Sequence, residues 1–398
     1  MAFLTLYRDA LQQNHRFLSE MFSNAKVEWG VVSKLLCGNR IYLQELLDLG
    51  VKEIHDSRLS NLKTIKQMNP KIQTVYIKPP AKRSIPGIVR YADVSMNTEL
   101  ETLKLLSAEA LKQNKIHKVI IMVEMGDLRE GVMGDELIHF YEQVFELPNI
   151  KIIGLGTNLN CLHGVMPSSD KLIQLSLYKQ IIELKFKHEI PWISGGTSVT
   201  IPLLMNKQLP AEVNHFRVGE TLYFGIDLFT GETVPGMRDD VLELFTEIIE
   251  ITEKPMLPIG ELAANPQGEV HEIDPELYGK TTVRAIVDIG LLDIDPKYLI
   301  YNEEDLQVVG SSSDMLVLDL GDNKMNRKVG DLIPFKLKYM GALGLLNSWY
   351  IGKTVKGKSG VLEQNEKSDS HSIHLKHDTK TKSRKKETLK ESEQGPGK

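Results

Sequence analysis

From about residue 28 to residue 225, short apolar runs alternate with stretches whose apolar residues recur every three or four positions. The runs are W-G-V-V-S-K, V-K-E-I-H-D, I-Q-T-V-Y-I, A-D-V-S-M, K-V-I-I-M-V-E, I-K-I-I-G-L-G, P-W-I-S-G-G and N-H-F-R-V-G. Each is too short for a stable helix and most are rich in Val and Ile, so each reads as a strand. Helical patterns such as E-L-E-T-L-K-L-L-S-A-E-A-L-K-Q and K-L-I-Q-L-S-L-Y-K-Q-I-I-E-L lie between most of them. Alternation of this kind implies a parallel sheet with helical crossovers, and eight units predict a (β/α)8 barrel of the TIM type. A doubly wound sheet is the competing architecture, but no G-x-G-x-x-G follows the first strand.

After Gly225 the pattern changes. Strand-like runs such as T-T-V-R-A-I-V-D-I-G and D-M-L-V-L-D-L-G-D are separated by turn-rich stretches, as in a mainly antiparallel β domain. Beyond about residue 356, K-G-K-S-G and H-D-T-K-T-K-S-R-K-K-E carry almost no large apolar side chains. Such a segment cannot offset its ordering entropy. The expected organisation is therefore a barrel over residues 1–235, a β-rich domain over 236–355 and a disordered basic tail over 356–398.

Composition narrows the class. With 41% apolar residues, 25% charged residues and a formal net charge of −5, the balance is that of a soluble chain with no bias toward nucleic acid. Two cysteines, Cys37 and Cys161, lie far apart with no C-x-x-C pattern, which argues against a disulfide scaffold or a zinc site and fits a reducing cytoplasm. No apolar run approaches the ~18 residues needed to span a bilayer. Arg8 and Asp9 interrupt the N-terminal segment where a secretory leader would be apolar, so the expected location is cytoplasmic, with no membrane partner.

In a barrel of this kind, chemistry gathers at the C-terminal ends of the strands. There the sequence offers Lys34 after the first strand, then Glu124, Asp127 and Arg129 after the fifth. After the sixth come Asn158, Asn160, Cys161 and His163, and after the eighth Arg217, Gly219 and Tyr223. The seventh ends Ser194-Gly195-Gly196-Thr197-Ser198. Glycines that admit close backbone approach, together with hydroxyl donors, make a phosphate cradle, although the same letters also suit a plain turn. Lys34 alone reads as a lysine reaching into solvent, and Arg217 alone as an ion-pair partner of Glu220 or Asp227. Taken together, a strand-end lysine able to form a Schiff base, a phosphate cradle and an arginine point to pyridoxal phosphate, with Arg217 on its pyridine nitrogen. His163 reads as a loop histidine, since no second metal ligand is suitably spaced. Ser57 reads as a helix N-cap.

The stretches V-V-S-K-L-L-C-G, V-E-M-G-D-L-R-E-G-V, G-L-G-T-N-L-N-C, I-S-G-G-T-S and F-R-V-G-E-T-L-Y-F-G occur in the order found in the alanine racemase-like, fold-type III pyridoxal-phosphate enzymes. The chain resembles this family over roughly residues 5 to 355, with spelling nearest the ornithine racemase branch. The resemblance implies a barrel followed by a β domain, a homodimer whose second subunit helps complete each site, and an amino-acid substrate. It implies Lys34 as the cofactor-bearing lysine and Arg217 as the pyridine-nitrogen partner. Ser194, Gly195, Gly196, Thr197 and Tyr223 would lie around the phosphate, with Gly219 nearby. Arg129 falls beside the cofactor hydroxyl and substrate carboxylate, and Asn158 stands where alanine racemases carry a histidine.

One position departs from the pattern. Alanine racemases carry a tyrosine as second base from the partner's β domain, and the matching stretch D-I-G-L-L-D-I-D puts Leu291 there. Leucine cannot carry a proton. Cys161, Asp293 and Asp314 are the alternatives for that role, and the loop Gly310 to Met315 matches one that enters the partner's site. The expected function is a racemase interconverting L- and D-amino acids, with ornithine or another basic side chain favoured and alanine possible. Glu124, Asp127 and Asp293 are the carboxylates considered for a distal ammonium. A non-catalytic pyridoxal-phosphate carrier, or a different transformation such as decarboxylation or aldol cleavage, are the alternatives.

Overall fold

The computed structural model describes residues 2–264, 268, 270, 273–357 and 362–363. Apart from 356–357 and 362–363, the expected tail lies outside them. Each of the eight apolar runs is a strand of a nearly closed parallel barrel. The strands are Glu28–Val32, Glu53–Asp56, Gln73–Tyr76, Val94–Asn97, His117–Met122, Ile150–Gly156, Trp192–Ser194 and His215–Val218. They pair in chain order, and the eighth returns to the first through Phe216 opposite Trp29 and Val218 opposite Val31.

The seventh strand divides its pairing. Trp192–Ser194 pairs with the sixth strand, and its continuation Gly196–Thr197 pairs with the eighth. The bend falls where side chains have no room. A Cβ on Gly195 would meet Leu172, and one on Gly196 would overlap the Phe216 ring. Glycine is required there because the backbone is pressed against its neighbours. The same bend carries Thr197 and Ser198 to the mouth of the barrel.

Outward residues such as Val31, Ile54, Val119, Ile121, Leu155, Ile193 and Phe216 join the main hydrophobic core. A second apolar cluster comprises Val75, Val94, Met96, Ile120, Met122 and Ile153. The barrel strands also bury polar side chains, including Glu53, His55, Ser95, His117 and His215.

The second sheet is antiparallel around the long strand Leu242–Pro255, which pairs with Thr281–Val287 on one stretch and Leu332–Leu337 on another. Its unexpected member is Phe3–Tyr7. This strand pairs antiparallel with Leu242–Phe245 and parallel with Gly352–Lys356, so the N-terminus belongs to the C-terminal sheet. Leu4 and Leu6 are fully buried there, and the Tyr42 hydroxyl donates to the Leu4 carbonyl at 2.7 Å. Burial of two leucines contributes on the order of 3–6 kcal/mol.

Helix Tyr339–Asn347 joins the β sheet to the barrel mouth and contacts the turn Lys34–Leu36. Gly341 seats the same helix against the β domain, because a Cβ would press on Tyr298 and Ile294. Among the described residues no helix is long and apolar enough to cross a membrane.

Candidate active site

A cavity of about 770 Å³ opens where the strand ends meet helix Tyr339–Asn347. Lys34 begins the turn that follows the first strand, and Leu35 and Leu36 are buried beneath it. The turn is pinned from below. Ser33 Oγ donates to Asp56 Oδ2 at 2.8 Å, and Asp56 also accepts from the Arg58 amide at 2.8 Å and Asn61 Nδ2 at 3.1 Å. Asp56, rather than the expected Ser57, therefore organises the start of helix Leu59–Met68, because its fixed carboxylate already takes the free amide of Arg58. Lys34 itself extends into the cavity, its ammonium 5.8 Å from the centre of the Tyr339 ring.

Arg217 is the opposite case: 4% exposed on the last barrel strand. The expected ion pair with Glu220 or Asp227 does not form. Nη1 donates to the Ser194 carbonyl at 2.5 Å and to Ser194 Oγ at 2.6 Å, while Nη2 donates to the Thr157 carbonyl and Asn158 Oδ1, both at 2.7 Å. An unpaired buried cation would cost several kcal/mol. Four charge-assisted hydrogen bonds, each worth about 1.5–3 kcal/mol, offset that cost. Burial still pushes its pKa down to about 10, so the guanidinium stays charged at neutral pH. Its Nε has no partner among the described residues and is not sealed from the cavity that Arg217 lines.

The loops after the fifth and sixth strands are tied together. Although burial opposes its ionisation, Asp127 is held below the usual carboxylate range by the amides of Cys161, Leu162, Val165 and His163. Glu124 accepts the Gly126 and Leu128 amides. Both carboxylates are thus committed to loop backbone, and neither lines the cavity, which removes them as partners for a distal ammonium. His163 is a loop residue, its Nδ1 2.8 Å from the Asp127 carbonyl. Arg129 is clamped by both oxygens of Glu130 through Nε and Nη2, and Asn158 Nδ2 donates to the same carboxylate at 2.5 Å.

Thr197, Ser198, Val199, Gly219 and Tyr223 line the far loops of the cavity. Two short helical segments start here, at Ser198 and Glu220; Thr197 caps the first, and Ser198 Oγ accepts the Thr221 amide of the second at 3.3 Å. The Tyr223 hydroxyl donates to the Val32 carbonyl at 3.2 Å. Ser194, Gly195 and Gly196 do not line the cavity, and Ser194 is wholly buried. Neither do Asp293, Asp314 and Leu291. Cys161 does, but burial pushes its thiol above the ordinary value despite Arg129 nearby.

The model of the alanine racemase N-terminal domain matches residues 6–227, more than half of the chain. The chain is 36% identical over 351 residues to an ornithine racemase of Acetoanaerobium sticklandii, covering 88% of this chain and 98% of that one. It is 27% identical over 344 residues to a lysine racemase of Thermotoga maritima, covering 86% and 95%. The fold superposes on the alanine racemase of Clostridium difficile 630 with a TM-score of 0.69 at 15% identity, covering 91% of this chain and 97% of that one. The alanine racemase from Bartonella henselae with covalently bound pyridoxal phosphate gives 0.68 at 16% identity, covering 89% and 99%. The chain belongs to the alanine racemase family.

Sequence reasoning missed several residues of this racemase's cavity. Glu130, Glu220, Lys78 and Tyr339 all line it. Tyr339 is the most informative, since its hydroxyl is buried beside Lys34 with no partner among the described residues. Burial and the Glu220 carboxylate raise its pKa, so it is a neutral donor in search of an acceptor. A buried unmet hydroxyl costs about 1–3 kcal/mol. The ligand-free Tyr339→Phe protein should therefore melt at or above the temperature of the unaltered protein in calorimetry. A clear drop would mean that the hydroxyl already has a partner in solution.

Proposed function

We propose that this racemase interconverts the L and D forms of a basic amino acid, ornithine or lysine, using pyridoxal phosphate held by Lys34 and Arg217. The observation that carries the reading is a single cavity holding an extended lysine amine and a buried arginine with one donor unspent. The cavity fits the cofactor in further respects. The Tyr339 hydroxyl has no partner among the described residues, and Thr197 and Ser198 bring hydroxyls to the cavity lining, groups suited to a phosphate. The names of the two curated relatives support the basic substrate.

Pyridoxal phosphate, when bound, supplies an electron-withdrawing ring that acidifies the Cα–H of an amino acid joined to it. The protein's part is orientation and proton transfer. Arg217 Nε would donate to the ring nitrogen, and a permanently charged donor there would keep that nitrogen unprotonated. Arg129, clamped by Glu130 through Nε and Nη2, keeps Nη1 for the substrate carboxylate. Lys34 Nζ, once free, takes the proton from Cα on its own side. Of the three carriers considered for the other face, Cys161 lines the cavity of this chain, whereas Asp293 and Asp314 would have to come from a second copy. A protonated thiol at the cavity lining is suited to donate the proton that completes inversion. Inversion in the reverse direction needs its thiolate, which Arg129 and Lys34 favour.

We also infer a homodimer in the cytoplasm. Trp349 and Tyr350 are 94% and 84% exposed just after the helix that covers Lys34, and Leu292 is 78% exposed in a loop packed on that helix. A patch of this kind is suited to a second copy of the chain. The free cysteines are compatible with a reducing compartment.

Two measurements test this account. In heavy water, cofactor-loaded protein should remove the α-proton NMR signal of L-ornithine or L-lysine faster than that of L-alanine, and the D form should accumulate. Lys34→Ala should lose exchange by several orders of magnitude, whereas Cys161→Ala should retain exchange and lose inversion. Undiminished exchange in Lys34→Ala would refute the mechanism. For assembly, Trp349→Glu should shift the protein toward the monomer in analytical ultracentrifugation, and an unchanged dimer would show that the patch lies outside the interface.

A further inference from the structure

Beneath the cavity floor a chain of buried polar groups runs away from Arg217. Ser194 Oγ, which receives the Arg217 Nη1 proton, lies 2.7 Å from His215 Nδ1. His215 Nε2 lies 2.9 Å from Glu53 Oε1. The same oxygen is 2.5 Å from His55 Nε2, and Gln73 Nε2 donates to the other oxygen of Glu53. Ser194, His55 and His215 are at most 1% exposed and Glu53 is 8% exposed. Trp192 stacks on the His215 ring at 4.2 Å and fixes its plane.

Donor counting gives this chain a direction. Arginine only donates, so Ser194 Oγ accepts from Arg217, and a neutral His215 that donates through Nε2 to the Glu53 carboxylate leaves Nδ1 to accept the serine proton. His215 then carries its hydrogen on Nε2 and donates to Glu53. His55 does the same, which leaves its buried Nδ1 as a bare lone pair with no partner among the described residues. Burial opposes ionisation of Glu53, yet His55 and His215 hold its carboxyl below the usual range.

Two other readings of the cluster fail on geometry. Glu53, His55 and His215 are of metal-ligating types. Nitrogens 2.5 and 2.9 Å from one carboxylate oxygen are at hydrogen-bond spacing, whereas ligands on a tetrahedral zinc at ~2.1 Å stand about 3.4 Å apart. The Glu–His–Ser order resembles a hydrolytic triad, but this serine is wholly buried and its oxygen is held by Arg217.

We propose that Glu53 is a positioning residue that acts through His215 and Ser194 to fix Arg217 and to moderate its charge toward the ring nitrogen of bound pyridoxal phosphate. The inference rests on the cofactor reading above. A direct carboxylate–arginine pair would occupy the guanidinium donors. A carboxylate set two side chains away balances the charge and leaves Nε for the ligand. Asn158 and Glu130 form a shorter relay on the other side of the guanidinium. The charged and titratable groups around Arg217 are Glu130, Arg129 and Cys161 on the cavity side and Glu53 and His55 beneath, with His215 reached through Ser194. Lys34 is faced by Glu220, Tyr339 and Cys161.

The test uses Glu53→Gln, Ser194→Ala and the double variant, each loaded with pyridoxal phosphate. The readout is the pH at which the visible absorbance of the lysine-bound cofactor changes. Weakening the link to Glu53 leaves the arginine charge less compensated, which disfavours a second positive charge nearby. The midpoint should therefore fall in both single variants, by about half a unit or more. The double variant should fall no further than the larger single one, because both changes cut the same chain. Turnover should drop about tenfold in kcat with KM changed less than about twofold. An unmoved midpoint, additive shifts, or a stoichiometric metal in the purified unaltered protein would overturn the proposal. If the unaltered protein takes up no cofactor, the function reading itself falls. The relay is then judged by histidine ¹⁵N spectra of the cofactor-free protein. An Nε2-protonated His215 that is perturbed in Glu53→Gln supports it, and identical spectra reject it.

Discussion

The site is organised by the burial of one positive charge. A guanidinium 4% exposed on the last barrel strand has to be hydrogen-bonded, and every group that does so is fixed in turn by another element. Ser194 and Thr157 offer carbonyls from the ends of the seventh and sixth strands, and Asn158 offers its side chain. Arg217 therefore joins three strand ends into one floor. Lys34 stands on a fourth, and its turn is pinned by Asp56 from the second strand. The two cations differ in freedom, one immobilised by four hydrogen bonds and the other extended into an open cavity. A holder and a mobile base need that division of labour.

The barrel was legible because its signal is local. Apolar runs of five to seven residues between helical periods reveal strands wherever both faces are buried. The strand Phe3–Tyr7 carried no such signal, since its partners begin at Leu242 and Gly352, and pairing across such separations leaves no trace in a short window. For the same reason the reading gave the N-terminus no place in the C-terminal sheet.

The strand-end rule found Lys34, Arg129, Asn158, Cys161, Thr197, Arg217, Gly219 and Tyr223, all of which line one cavity. It missed Tyr339, which arrives from the β domain on a helix with no motif of its own. It also passed over Glu53 and His215, which stand at strand starts, where barrel chemistry is not expected. Their role becomes visible only through distances. Glu124 and Asp127 show the converse error, in which carboxylates at the right strand end serve the backbone amides of their own loops. A carboxylate near a mouth is available to a ligand only after the loop's own donors are satisfied.

Three lysines line the cavity, Lys34, Lys78 and Lys338, and the account stands on the first of them. Borohydride reduction of the protein loaded with pyridoxal phosphate, followed by peptide mapping, reads which one bears the cofactor. The account predicts a single pyridoxyl group on the peptide containing Lys34. A label on Lys78 or Lys338, or none at all, would contradict it.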